Sequence, residues 1–215
     1  MELKNKVINF LGDSITEGVG ASCGETRYVD QVAALASLAR ANNYGISGTR
    51  IARQKKPDFE ANRFDLDFCL RCVDMDKDAD INVVFGGTND FGHGDAPIGT
   101  PDDRTPETFW GACHYLCRTL LETYPDAVTV ICTPLHRLSE NTPAENSGLV
   151  LEEYAKIIRT VAEYYSLPVL DLWKMGGMQP AVGIIQQKYM PDGLHPNDAG
   201  HLRLAERIVG FLGAL

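Results

Sequence analysis

Five short apolar runs alternate with stretches of helical periodicity, and this alternation limits the chain to very few architectures. The runs are Val7-Ile8-Asn9-Phe10, a weaker one near 42–46, 79–85, Val128–Cys132 and Pro168–Leu172. Between and after them, apolar residues recur at helical spacing over 25–40, from Thr105 to Pro125, over Leu151–Tyr165, and beyond Asn197. A less regular pattern over 64–75 suggests a poorly defined helix. The order reads βαβαβαβαβα. A strand that returns parallel to its predecessor needs a long crossover, usually a helix, so the pattern predicts a parallel sheet covered on both faces. With 215 residues and no linker, repeat or low-complexity segment, the expectation is a single three-layer α/β/α domain spanning 1–215.

In such a sheet the carboxyl ends of the strands share one edge, where ligands bind. The residues that follow the strands here are unusual for turns alone. Gly12-Asp13-Ser14-Ile15 follows the first, Gly45-Ile46-Ser47-Gly48 the second, and Gly86-Gly87-Thr88-Asn89-Asp90 the third. Asp192-Gly193-Leu194-His195-Pro196-Asn197 comes after the fifth, and Asn197 is placed to cap the last helix. Thr105-Pro106 reads as the start of the helix before strand four, with Thr as cap and Pro at its first position. Two connections, 91–104 and 173–191, are long and rich in Gly and Pro, and are expected to flank a pocket.

A serine nucleophile needs a base, and a neutral imidazole suits that task. The base needs a partner that fixes its tautomer. Ser14, His195 and Asp192 fit these roles, since Asp192 lies three residues before His195 and can fold back onto its Nδ1. Attack on a carbonyl creates an oxyanion, which needs fixed donors. The Ser14 and Gly48 amides and the Asn89 side chain are the candidates. His93 lies in the long loop after Asn89 and is a candidate to line the pocket. Asp13 is expected to shape the turn that presents Ser14. Ser47 is a decoy, and the G-x-S-x-G elbow of α/β-hydrolases occurs nowhere. His114 and His201 fall in helical patterns and read as structural or surface residues.

These four blocks together resemble the GDSL-type, or SGNH, hydrolase family. Gly12-Asp13-Ser14-Ile15 looks like the first block, with Ser14 at the nucleophile position. Gly48 and Asn89 match the oxyanion glycine and asparagine of the second and third, and Asp192 and His195 match the last. The resemblance implies a flavodoxin-like sheet of five parallel strands in the order 2-1-3-4-5. It also implies ester hydrolysis through an acyl-enzyme without a cofactor or metal. Among the substrates that the family suggests, an O-acetylated carbohydrate is the first expectation. A lysophospholipid or a thioester is the alternative.

Composition narrows the partners. A net charge of −9 and a pI near 5 argue against nucleic acid and anionic membranes, which need a basic patch. No apolar run approaches the ~20 residues of a membrane span. The charged N-terminal residues show no signal-peptide pattern, so a cytoplasmic location is expected. The Cys69/Cys72 and Cys113/Cys117 pairs could form a zinc site on spacing alone. Both lie in helical patterns, where cysteine acts as a small apolar residue, and reduced core thiols are the better reading. A flavodoxin-like sheet can also hold a nucleotide or flavin at this edge. That competing reading lacks both G-x-G-x-x-G and G-x-x-x-x-G-K-[ST], and leaves Asn89, Asp192 and His195 without a task.

Overall fold

The computed structural model describes residues 1–215. The chain runs β1 (Val7–Gly12), α1 (Ser14–Glu17), α2 (Tyr28–Ala36), β2 (Arg40–Gly45) and α3 (Phe68–Arg71). It continues through β3 (Ile81–Phe85), α4 (Thr88–His93), α5 (Phe109–Thr123), β4 (Val128–Cys132) and α6 (Leu151–Tyr164). The last elements are β5 (Val169–Leu170), α7 (Leu172–Met175), α8 (Gly183–Tyr189) and α9 (Asp198–Ala214). The sheet is parallel with the order β2-β1-β3-β4-β5, as the resemblance implied.

The sheet separates two apolar layers because strand side chains alternate between faces. Leu11, Val84 and Ile131 join the layer under α3, α5 and α6. Ile8, Phe10, Ile81, Val83 and Val130 join the layer under α2 and α9. The four paired cysteines lie in the first layer: Cys69 Sγ bonds the Ile51 and Ala112 carbonyls, both at 3.4 Å. Within the strands, Asn42 donates to Asn9, and Asn9 donates to Asn82. These three residues face each other in register, so a slipped strand would bury unpaired amides.

Several elements differ from the sequence expectation. Ser14 does not sit in a loop but opens the one-turn helix α1. Residues 88–93, expected as turn and loop, form α4. The cap of α5 is Thr108, whose Oγ1 accepts from the Gly111 N–H at 3.1 Å, rather than Thr105. The Pro106 carbonyl instead accepts from the Arg53 N–H, which holds that segment in a turn. Strand five is only two residues long, since Asp171 caps α7 at once by accepting from the Lys174 N–H. Asn197 caps α9 as expected, through the Gly200 N–H.

Candidate active site

Ser14 is placed by Asp13. The buried Asp13 carboxylate accepts the Ile15 N–H at 3.1 Å and caps α1, so the chain turns directly behind the strand and leaves Ser14 at the helix start. The first amides of a helix have no partner within it. Neither the Ser14 nor the Gly48 amide donates to another protein group.

Ser14 Oγ lies 3.0 Å from His195 Nε2. On the far side of the ring, His195 Nδ1 lies 2.7 Å from Asp192 Oδ2. The other Asp192 oxygen accepts the Leu194 and His195 backbone N–H groups at 2.8 and 2.7 Å. Those amides fix the carboxylate, so Nδ1 carries the proton and Nε2 is free to accept from Ser14. Partial burial pushes Asp192 up, but the His195 ring and the two amides outweigh it and hold its pKa below the usual range. Asp192 is thus ionised, with over half of its side chain in solvent.

The second and third blocks are locked together beside Ser14. Asn89 Nδ2 donates to the Thr49 carbonyl at 3.0 Å, one residue past Gly48. Asp90 accepts the Ile51 and Ala52 amides, both at 2.9 Å. Gly48 has φ +77°, and a Cβ there would come within 2.8 Å of the Phe64 ring, so a larger residue would strain the turn. Ser47 is held elsewhere: its amide and hydroxyl both bond Glu17, which pairs with Arg63.

A latch sets the distance between the first and last blocks. The Ser22 amide and hydroxyl donate to Asp198 at 2.8 and 2.7 Å. The Tyr28 N–H donates to His201 Nδ1, which leaves His201 Nε2–H for the Val19 carbonyl at 3.3 Å. Gly20, with φ +93°, lies so close to the Pro196 carbonyl that a Cβ would strike it at 2.2 Å. Sequence reasoning placed His201 as structural or surface, and it is fully buried. It did not find Ser22 or Asp198. A Ser and an Asp 176 residues apart give no local signal.

A cavity of about 670 Å³ opens past the third block; Ser14, Gly48, Asn89, Asp192 and His195 do not line it, and Arg137, which bonds the Thr88 carbonyl, connects it to them. Phe91, His93 and Asp95 form one wall, and Arg137, Ser139 and Asn146 lie on the other. His93 lines this cavity. Partial burial and then the Arg50 and Arg137 charges push its pKa down, so its imidazole is neutral there. The polar connection after β4 supplies the second wall, a role expected of 173–191. That segment instead folds into α7 and α8 and buries Met178, Tyr189 and Met190 against the α9 layer. Of 91–104, only its first residues face the cavity.

The model of the GDSL-like lipase/acylhydrolase family matches residues 10–203. The chain belongs to that family. A solved structure of a protein from Lactobacillus plantarum is 31% identical, with a TM-score of 0.83, covering 98% of each chain. An acetyl xylan esterase matches at 20% identity and a TM-score of 0.62, over 95% of this chain and 98% of its own. A two-domain esterase active on acetylated mannans matches at 22% and 0.64, over 97% of this chain and 48% of its own. The last two share the fold. No curated protein matches. As a GDSL-like hydrolase the chain keeps all four sequence blocks at one sheet edge. No helix is long and apolar enough to cross a membrane.

Proposed function

We propose that this GDSL-like hydrolase is a serine esterase whose nucleophile is Ser14. The observation that carries the reading is the continuous hydrogen-bonded line from Ser14 Oγ through His195 to Asp192. His195 Nε2 takes the Ser14 proton as Oγ attacks the ester carbonyl. Asp192 holds the ring and stabilises the imidazolium. The Ser14 and Gly48 amides and Asn89 Nδ2 receive the oxyanion. His195 then protonates the leaving alcohol, and water attacking the acyl-enzyme returns Ser14.

The substrate we infer is a small polar ester, with an O-acetylated carbohydrate first. The cavity supports this, since Ser139, Thr142 and Asn146 line it and few of its lining residues are hydrophobic. A lysophospholipid or long acyl thioester would need a continuous apolar groove. The acetyl xylan and acetylated-mannan esterases with this fold point the same way. Ser14→Ala should lower kcat on p-nitrophenyl acetate by on the order of 10⁵–10⁶-fold with an unchanged melting curve. Near wild-type activity in Ser14→Ala, with loss in Ser47→Ala, would move the nucleophile to Ser47. A series from acetyl to octanoyl esters should favour acetyl.

A further inference from the structure

We propose that Arg137 makes the cavity an anion subsite, so that the alcohol portion of the substrate carries a carboxylate or a phosphate. This rests on the acetyl-esterase reading, in which the acyl group is small and a cavity of about 670 Å³ is left for the alcohol.

The other inward-facing arginines are already engaged. Arg50 pairs with Asp65, Arg53 with Asp67 and Arg159 with Asp171. Arg71 has no ion pair but donates to the Gly12, Tyr44 and Leu66 carbonyls. Arg137 forms no ion pair. Its Nη1 bonds the Thr88 carbonyl and hydroxyl at 3.2 and 3.3 Å, and the guanidinium lies 5.6 Å from the centre of the Phe91 ring. Nε and Nη2 donate to no protein atom, and neither is sealed from solvent. The group is half-buried, and burial disfavours its charged form enough to pull its pKa down. Asp192 and Asp13 favour the cation only from a distance, and a cation kept partly out of water with no carboxylate in contact has an unmet electrostatic demand.

The surroundings leave that demand open toward the cavity. A Cβ at Gly92 would lie 2.9 Å from Nη1, so glycine there makes room for the guanidinium. The cavity's carboxylates, Asp95 and Glu145, form no ion pair with it, and Asp95 instead accepts the Lys55 amide. Arg137 is also tied to the reaction centre. Thr88, which it grips, precedes Asn89, and its neighbour Leu138 donates to the Gly193 carbonyl within the Asp192–His195 turn. An anion on Nε and Nη2 would be held in the forked geometry that guanidinium offers carboxylate and phosphate.

The test compares 4-acetoxybenzoate and 4-acetoxyphenyl phosphate with the neutral isostere 4-acetoxybenzamide. The wild-type kcat/KM should favour at least one anionic ester by about 10-fold or more, as a charge-assisted pair contributes about 1.5–3 kcal/mol. Which ester leads tells carboxylate from phosphate. In Arg137→Gln the ratio should fall toward one. A wild-type ratio near one, or a ratio unchanged in Arg137→Gln, overturns the proposal. Calorimetric binding of 4-hydroxybenzoate, 4-hydroxyphenyl phosphate and 4-hydroxybenzamide to the wild-type protein reads the same preference without turnover. It decides the subsite even if none of the esters is cleaved, which would instead sink the esterase reading, and even if Arg137→Gln does not fold. Equal binding of the three phenols overturns the subsite.

Discussion

Two aspartates flank Ser14, and they differ in almost every physical respect. Asp13 precedes it in the chain, is buried and accepts one amide. Burial pushes its pKa up to about 7, with Asp90 adding to the rise and the Ile15 amide and Arg71 opposing it. Asp192 comes from the far end of the sequence, sits on an exposed turn and accepts two amides and an imidazole. It stays ionised. The carboxylate nearest in sequence is thus the one least able to carry a negative charge. A partner for an imidazolium must be charged, and the exposed turn meets that need where the strand end does not. A buried Asp13 anion would also lie one residue from the developing oxyanion and oppose it.

The contrast is tested most strongly at Asp192. Asp192→Asn keeps the size of the side chain but allows the wrong imidazole tautomer, and comparable changes cost about 10⁴-fold in kcat. KM and the melting temperature should change little, because the residue is exposed. If kcat falls only a few-fold, another carboxylate orients His195 and the assignment of roles fails. Asn89→Ala comes next. Losing one oxyanion donor costs roughly 10²–10³-fold in kcat. The loss should appear in kcat rather than KM, since the bond strengthens as the oxyanion forms. A rise in KM alone would make Asn89 a brace for Thr49 and not an oxyanion donor.

Much of this is legible in the sequence because strand ends in a parallel sheet share an edge. Given the parallel strands, Ser14, Gly48 and Asn89 have to share one edge, whatever the details of each turn, while His195 reaches it from the turn between α8 and α9. Asp192 is legible because three residues is the reach of a carboxylate folding back on a histidine ring. What stays hidden lies in contacts between distant segments. The Ser22–Asp198 pair and the Val19–His201 bond depend on how α2 packs on α9, which no local pattern encodes. The start of α5 differs from expectation because Thr105-Pro106 carries a stronger local signal than Thr108, and the Arg53–Pro106 backbone bond overrides it. The cavity wall at Arg137 escapes for a similar reason. A polar connection gives no periodicity, and its role follows from bonds to Thr88 and Gly193.

The smallest effect on activity, and the one most specific to the comparison, is expected at Asp13. Its folded-state pKa of about 7 lies above the roughly 3.9 of an unfolded aspartate, so between these values the folded protein holds a proton that the unfolded chain has lost. The stabilisation is fully present below about pH 4 and is lost as pH rises through 7. Asp90, pushed up to about 6 by burial although the Ala52 and Ile51 amides and Arg50 oppose the rise, acts in the same direction. Asp192 acts in the opposite direction, adding stability above the unfolded value that disappears on acidification. His93, His114 and His201, whose pKa values burial pushes down, act the other way over the same range, so the decline that Asp13 causes is read by comparing the wild type with Asp13→Asn in melting curves at pH 5 and pH 8. Asp13→Asn should remove much of that decline and raise Tm at pH 8 by on the order of a few degrees. It should change kcat at pH 6 only a few-fold, because the neutral amide can still accept the Ile15 N–H. If Asp13→Asn leaves the pH dependence of Tm untouched, Asp13 is ionised in the folded protein, and the difference between the two aspartates reduces to position alone.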